Sequence, residues 1–169
     1  MTENTVVGNV GREASVVVRA DAGVVWSMVT DVTRMGEWSP ETVRAEWIDG
    51  ATGPAVGARF KGENRKGRTR WSTTCEVIES EPGRSFAFAV GKVAKPETVW
   101  RYRFEPVAEG VKVTESFELT KPLGFGSRLV TRLTTGVKDR PADMEEGVRA
   151  TLAALKRVAE GETSRRAGS

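Results

Sequence analysis

The chain has 169 residues, of which 29% are charged and 38% hydrophobic, as is typical of one globular domain with a single core. Its 26 basic and 23 acidic residues are interleaved and leave a net charge of +3, so it lacks the concentrated basic face expected of a nucleic-acid-binding protein. Histidine is absent and Cys75 is the single cysteine, which excludes an internal disulfide, a cysteine–histidine nucleophile and the usual zinc, copper or iron ligand sets. We therefore expect neither a metal site nor a cofactor.

The beginning of the chain, MTENTVVGNVGRE, is polar, and no later segment has the roughly 20 consecutive apolar residues of a membrane helix. These features favour a cytoplasmic protein without an integral membrane segment, although transient contact with a membrane remains compatible with them. We expect a monomer or a weak dimer.

The first elements are a strand and a helix. Residues 13–19, EASVVVR, are rich in β-branched side chains, and Asp21 then suits the N-cap of a helix. The apolar positions that recur at helical spacing are Val25, Met28, Val29 and Val32. In the connection that follows, TDVTRMGEWSP, the apolar Met35 and Trp38 precede a Ser39-Pro40 break, so we expect a short second helix at this point.

The middle of the chain has the alternating pattern of an antiparallel sheet. TVRAEWI, residues 42–48, predicts a strand with Val43, Ala45 and Trp47 on one side. ARFKGEN and TRWSTTCEVI flank a turn that we place at Lys66-Gly67. With that turn, the facing pairs would be Phe60 with Thr73, Gly62 with Trp71, and Asn64 with Thr69.

Three further strands, RSFAFAV, TVWRYRFEP and GVKVTESFEL, complete the predicted sheet, the last two forming a hairpin around PVAEG. The apolar face of this hairpin would hold Trp100, Tyr102, Phe104, Val111, Val113, Glu115 and Phe117, with Glu115 across from Trp100. One face is therefore aromatic and the other charged.

A long helix in the region Ser127–Glu160 would cover the apolar face. Its apolar positions at helical spacing are Met144, Val148, Leu152 and Leu155. Pro141 either begins this helix or kinks a longer one. Gly161 predicts its end, so residues 162–169 are expected to form a flexible tail.

This order of elements resembles the helix-grip fold of the START and Bet v 1-like (SRPBCC) superfamily. More specifically, the chain resembles actinobacterial members of the polyketide cyclase/dehydrase and lipid-transport family. The resemblance rests on VVWSMVTDVTRMGEWSPE, GARFKGENRKGRTRWST, EPGRSFAF, WRYRFEP, VTESFEL and ADMEEGVRATLAALKRVAE, and it extends roughly from Gly11 to Gly161. It implies an α+β domain over residues 1–161, in which a curved antiparallel sheet wraps around the C-terminal helix and two short helices join the first two strands.

The resemblance also implies a cavity between sheet and helix, with its mouth near the short second helix. Together with the alternation along the strands, it predicts a set of ligand-binding residues, for each of which core packing is the alternative. They are Met35, Trp38, Phe60, Asn64, Trp71, Thr73, Phe86, Phe88, Trp100, Tyr102, Glu115, Met144, Val148 and Thr151.

Glu115 is the candidate catalytic residue, because alternation directs its carboxyl group inward between Val113 and Phe117. A buried carboxylate must meet water, a cation or hydrogen-bond donors, or else keep its proton. It can act as a general acid–base, or it can be a structural carboxylate held by hydrogen bonds.

Three functions follow. The favoured one is binding or transport of a lipid or polyketide-like molecule without changing it. The second is a cofactor-independent aromatase/cyclase that uses the same cavity. The third is partner binding through basic residues of the outer face, namely Arg59, Lys61 and Arg70. The most basic stretch, ENRKGRTR, predicts either a contact for an acidic partner, headgroup or nucleic acid, or a solvated hairpin end, and we favour the solvated end.

Overall fold

The computed structural model describes residues 10–120 and 140–169. Its elements in chain order are β1 (Val10–Val18), α1 (Ala22–Thr30), a 3-10 helix (Val32–Glu37), β2 (Thr42–Ile48), β3 (Arg59–Lys66), β4 (Thr69–Glu81), β5 (Ser85–Lys92), β6 (Lys95–Val107), β7 (Gly110–Leu119) and α2 (Arg140–Ala167). The seven strands form one antiparallel sheet in the order β1-β7-β6-β5-β4-β3-β2. This arrangement is the predicted α+β helix-grip fold, with two short helices between β1 and β2.

The predicted cap of α1 is confirmed. The Asp21 side chain accepts hydrogen bonds from the backbone N–H groups of Gly23 (2.8 Å) and Val24 (3.3 Å), as an N-cap residue does. The buried side of α1 carries Val25, Met28 and Val29, which were predicted from their spacing. Asp31 then ends α1 and caps the 3-10 helix.

The start of β2 differs from the prediction. Val43 was expected to face inward with Ala45 and Trp47, but its side chain is 58% exposed. The pairing of β2 with β3 shifts register between Thr42 and Arg44, so Val43 lies in a bulge. The 3-10 helix packs closely there, since a Cβ on Gly36 would lie 2.7 Å from the Val43 carbonyl oxygen.

The β3–β4 hairpin has a different turn from the one predicted. Gly67 and Arg68, and not Lys66 and Gly67, are the two turn residues. Gly67 has φ 58°, and glycine with positive φ at the first turn position is what one of the favoured hairpin turns requires. The observed facing pairs are therefore Phe60 with Cys75, Gly62 with Thr73, and Asn64 with Trp71.

The β6–β7 hairpin has the predicted buried face, on which Tyr102, Phe104, Val113 and Phe117 are buried. Its register corrects one expectation, because Glu115 lies opposite Tyr102, and Trp100 lies opposite Phe117.

Helix α2 packs against β1, where the Lys156 ammonium group donates to the Val17 carbonyl oxygen at 2.6 Å. The predicted apolar positions Met144, Val148, Leu152 and Leu155 are all buried. The predicted end at Gly161 is wrong, because α2 continues to Ala167 and residues 162–167 are helical. An ion pair of 2.5 Å between Arg34 and Glu162 attaches this last part to the 3-10 helix. The predicted helical region of residues 127–139 lies outside the described residues.

Candidate functional site

A cavity of about 1240 Å³ lies between the inner face of the sheet and the first turns of α2. Small-molecule sites commonly occupy about 300–1,000 Å³, so this space is large enough for a ligand of several rings or a long chain. Its open end includes the exposed residues Val43, Arg65, Gly67 and Glu146. The mouth thus lies where the β3–β4 hairpin approaches the beginning of α2.

Most of the predicted ligand-binding residues line this cavity. They are Met35, Trp38, Phe60, Asn64, Trp71, Thr73, Phe88, Trp100, Tyr102, Glu115, Met144 and Thr151.

Two predicted residues do not line the cavity. Phe86 is fully buried beyond it, because α1 covers this end of β5, where the Trp26 indole N–H donates to the Ser85 carbonyl oxygen at 2.9 Å. Val148 is also in the hydrophobic core. A helix turns only one face to the cavity, and on α2 that face carries Met144, Gly147 and Thr151.

Sequence reasoning missed several lining residues. Val90 and Leu119 follow Phe88 and Phe117 at strand spacing, and Thr98 precedes Trp100 at the same spacing, so the same alternation would have found them. No local signal distinguishes the mouth residues, because tertiary contacts bring them together. Missed lining residues at the mouth include Gly36, Pro40, Glu41, Thr42, Val43, Lys66 and Asp143.

The floor of the cavity carries a hydrogen-bonded pair, Tyr102 and Glu115. The Tyr102 hydroxyl donates to Glu115 Oε1 at 2.7 Å, and the two residues are 6% and 3% exposed. The second carboxyl oxygen of Glu115, Oε2, is buried without a hydrogen-bond partner among the described residues. Burial raises the pKa of Glu115 to about 8, against a smaller lowering by the Tyr102 hydrogen bond. Burial, followed by the neighbouring Glu115, also raises the pKa of Tyr102. At neutral pH the Glu115 carboxyl group is therefore mostly protonated.

One side wall is polar. The Thr42 hydroxyl donates to Asn64 Oδ1 at 2.9 Å, and Asn64 Nδ2 donates to Thr73 Oγ1 at 3.2 Å. Cys75 follows on the same face, and burial raises the pKa of its thiol to about 12. The wall thus offers neutral amide, hydroxyl and thiol groups.

The rest of the wall is aromatic. Phe60 and Phe88 meet edge to face with ring centroids 5.1 Å apart, and Trp100 packs on Phe117 at 5.4 Å. Trp71 completes this surface. Such a surface favours apolar or aromatic ligands, because it can exclude water from them.

Trp38 lies between the mouth and the 3-10 helix and is 4% exposed. The Arg34 guanidinium group lies 5.6 Å from the centre of its ring, within the range of a cation–π contact. Arg34 also pairs with Glu37 at 2.7 Å, which lowers the pKa of Glu37, and with Glu162 on α2. These contacts hold Trp38 in place from the side away from the cavity.

A second ion-paired group spans the mouth. Lys66, at the end of β3, pairs with Asp143 on α2 and lies 3.6 Å from a carboxylate oxygen of Glu41. All three residues line the cavity and are partly buried. The β3–β4 hairpin is thereby linked to the beginning of α2.

Within residues 10–120 and 140–169, no group of three potential metal-binding side chains occurs. The helices of this same part of the chain include none long and apolar enough to cross a membrane.

The chain belongs to the family described as polyketide cyclase/dehydrase and lipid transport, which matches residues 11–160. The Polyketide_cyc-like protein Cgl2372 from Corynebacterium glutamicum is 33% identical, with a TM-score of 0.62 over 94% of this chain and 96% of that one. The organism of this relative supports the resemblance to actinobacterial members of the family.

More distant solved structures share the fold. The di-domain ARO/CYC protein StfQ from the steffimycin biosynthetic pathway is 15% identical, with a TM-score of 0.70 over 95% of this chain and 52% of StfQ. NE0264 from Nitrosomonas europaea is 13% identical, with a TM-score of 0.66 over 91% of this chain and 96% of that one. A comparison with curated proteins gave no match.

Proposed function

We propose that this protein binds a small hydrophobic or amphipathic molecule, lipid-like or polyketide-like, between the sheet and α2 and carries it unchanged. The observation that carries the proposal is a cavity of about 1240 Å³ with an aromatic wall and, on its floor, one buried carboxyl oxygen that has no hydrogen-bond partner among the described residues. The family's description, which names both lipid transport and polyketide chemistry, supports the same class of ligand.

The size of the cavity supports an occupant. At ~24 cal/mol per Å³, a dry void of 1240 Å³ would cost on the order of 30 kcal/mol. That exceeds the roughly 5–15 kcal/mol by which domains are stable. Water can fill the polar side beside Asn64 and Thr73, but the space beside Phe60, Phe88 and Trp100 offers water few partners. An apolar ligand would release that water and gain about 25 cal/mol per Å² of apolar surface buried.

The polar groups would orient the ligand. Protonated Glu115 can donate a hydrogen bond from Oε2 to a carbonyl or hydroxyl oxygen, while Tyr102 holds Oε1. We propose that the predicted residues which line the cavity contact this ligand. We also propose that the protein is cytoplasmic and acts as a monomer or weak dimer. Light scattering after size exclusion would check the oligomeric state.

Native mass spectrometry of freshly purified protein, followed by displacement of a fluorescent fatty-acid probe, tests the binding function. Phe88 and Phe86 form a matched pair, since both are buried on β5 but only Phe88 lines the cavity. Phe88→Leu should weaken probe binding at least about fivefold, whereas Phe86→Leu should cost roughly 1 kcal/mol of stability and leave affinity unchanged. A protein without retained mass that also fails to bind the probe would contradict the proposal.

The Tyr102–Glu115 pair favours a second candidate function, a cofactor-independent cyclase. A carboxyl group with a pKa of about 8 can both give and take a proton near neutral pH. If the protein converts a polyketide-type substrate, Glu115→Gln should abolish turnover and leave substrate affinity within about threefold. Turnover that survives this substitution would remove Glu115 from the reaction.

A further inference from the structure

The ends of two hairpins at the mouth of the cavity carry pairs of like charges. In β3–β4, Arg65 lies directly opposite Arg70, and in β5–β6, Lys92 lies directly opposite Lys95. Like charges in facing positions destabilise a sheet, and opposite charges would serve a purely structural hairpin better. The same arrangement occurs at both hairpin ends, so it needs an explanation beyond solubility.

These basic side chains lack partners within the described part of the chain. All four are exposed, as is Arg68 in the first turn, and none forms an ion pair with a described residue. Most basic residues elsewhere on the sheet are paired, as Arg101 is with Glu79 and Arg103 with Glu13. The nearest acidic residues along the strands, Glu63 and Glu97, are exposed and do not neutralise the hairpin ends by ion pairing.

Exposed apolar side chains accompany this charge. The second turn consists of Val93 and Ala94, and Val93 is 43% exposed between the two lysines. Val43, also exposed, lies at the mouth of the cavity. Valine in a hairpin turn is unfavourable for a purely soluble tip, where polar turn residues are the rule.

Both hairpin turns project from the same end of the antiparallel sheet. The cavity reaches this end, because residues 65–67 and Thr98 belong to its lining. The opposite end of the sheet is closed by α1 and by fully buried side chains such as Phe86. A surface that contacts the two turns would therefore face the mouth.

We propose that these two turns, residues 65–70 and 92–95, dock the mouth of the cavity onto a bilayer that contains anionic lipids. The arginine and lysine pairs attract the lipid headgroups, and the Val93 side chain inserts between the headgroups into the membrane interface. Docking relieves the repulsion within each pair, because the headgroups supply the missing negative charges. A nucleic acid would match the charge but would leave the exposed valines in water. Docking in this orientation would let a ligand pass between the membrane and the cavity. That role rests on the proposed function, whereas the docking itself does not.

The test is co-sedimentation of the ligand-free protein with vesicles of phosphatidylcholine alone or with one third phosphatidylglycerol. Wild-type protein should sediment only with the anionic vesicles, and high salt should release it. The variant R65Q/R70Q/K92Q/K95Q should bind at least about tenfold more weakly while its melting temperature stays equal or rises. The control R84Q/R157Q removes exposed charges outside both turns and should bind within about twofold of wild type.

V93S separates the apolar contribution and should weaken binding to anionic vesicles without changing its salt dependence. Unchanged sedimentation of the four-residue variant, equal binding to both vesicle types, or binding to an RNA homopolymer without vesicle binding would each overturn the proposal. Displacement of the fatty-acid probe, measured without vesicles, reports on the proposed function separately, so either proposal can fail alone.

Discussion

Glu115 combines nearly complete burial with an incomplete set of hydrogen bonds. Tyr102 satisfies Oε1, while Oε2 lies on the cavity floor without a described partner. An ionised carboxylate in this position would be compensated at Oε1 alone among the described contacts, and burial therefore raises the pKa. A purely structural carboxylate is more often satisfied at both oxygens.

The raised pKa of Glu115 predicts how stability depends on pH. Because the folded pKa is about 8 and the ordinary value is 4.5, the folded state binds more protons than the unfolded state between these values. The free energy of unfolding should therefore fall by up to roughly 5 kcal/mol as pH rises through this window, and it should level off above the folded pKa.

Urea unfolding at a series of pH values measures this dependence. Glu115→Gln cannot ionise, so its free energy of unfolding should fall much less over the same window, while groups elsewhere contribute equally to both proteins. Parallel curves for wild type and variant would show that Glu115 does not titrate as described.

At the scale of elements, ion pairs join parts of the fold that are distant in sequence. Lys66 joins the β3–β4 hairpin to Asp143 on α2, and Arg34 joins the 3-10 helix to Glu162 near the end of α2. Neither contact belongs to the core, so both can break without unfolding the sheet. Of these two ion pairs, the one between Lys66 and Asp143 lies at the mouth.

Removal of the Lys66 ion pair should change the rate of ligand exchange more than stability. Lys66→Met keeps the apolar length of the side chain but leaves Asp143 and Glu41 without its charge. We expect probe association and dissociation to accelerate at least about threefold, with less than about 1 kcal/mol lost in stability, since partly exposed ion pairs contribute little.

Stopped-flow fluorescence with the fatty-acid probe measures both rates. Lys61→Met is the matched control, because Lys61 is on the same strand but does not line the cavity. The interpretation of Lys66 as a closure of the mouth is wrong if both variants exchange the probe at the wild-type rate.

For the whole molecule, alternation and capping predicted the order of elements because both are local. The side-chain period of a strand identifies its inner face, and Asp21 marks the start of α1 through hydrogen bonds to its own neighbours. The same reasoning brought Trp71, Thr73, Tyr102 and Glu115 to the inner face, where they now line the cavity.

The errors arose where contacts between distant parts of the chain determine the local structure. The hairpin turn could include Gly67 in its first or second position, and the favoured hairpin turns accept a glycine with positive φ at either one, so the local sequence does not select the register. Val43 lies in a bulge beside the closely packed Gly36, and α2 continues past Gly161, where Arg34 pairs with Glu162. Alternation also predicts which face of the sheet a side chain lies on, but not how far along the strand the cavity extends. Phe86 was therefore grouped with Phe88, although only Phe88 lines the cavity.

Cys75 lies on the cavity wall, is 3% exposed and is the single cysteine of the chain. Because it is buried on the cavity wall, small alkylating reagents reach it through the mouth, and with its pKa raised to about 12 it stays a thiol and reacts slowly. The protein therefore contains an intrinsic reporter of occupancy. Intact-mass measurement of alkylation should show slower labelling when the cavity is filled, and the same rate with and without bound probe would place the probe elsewhere.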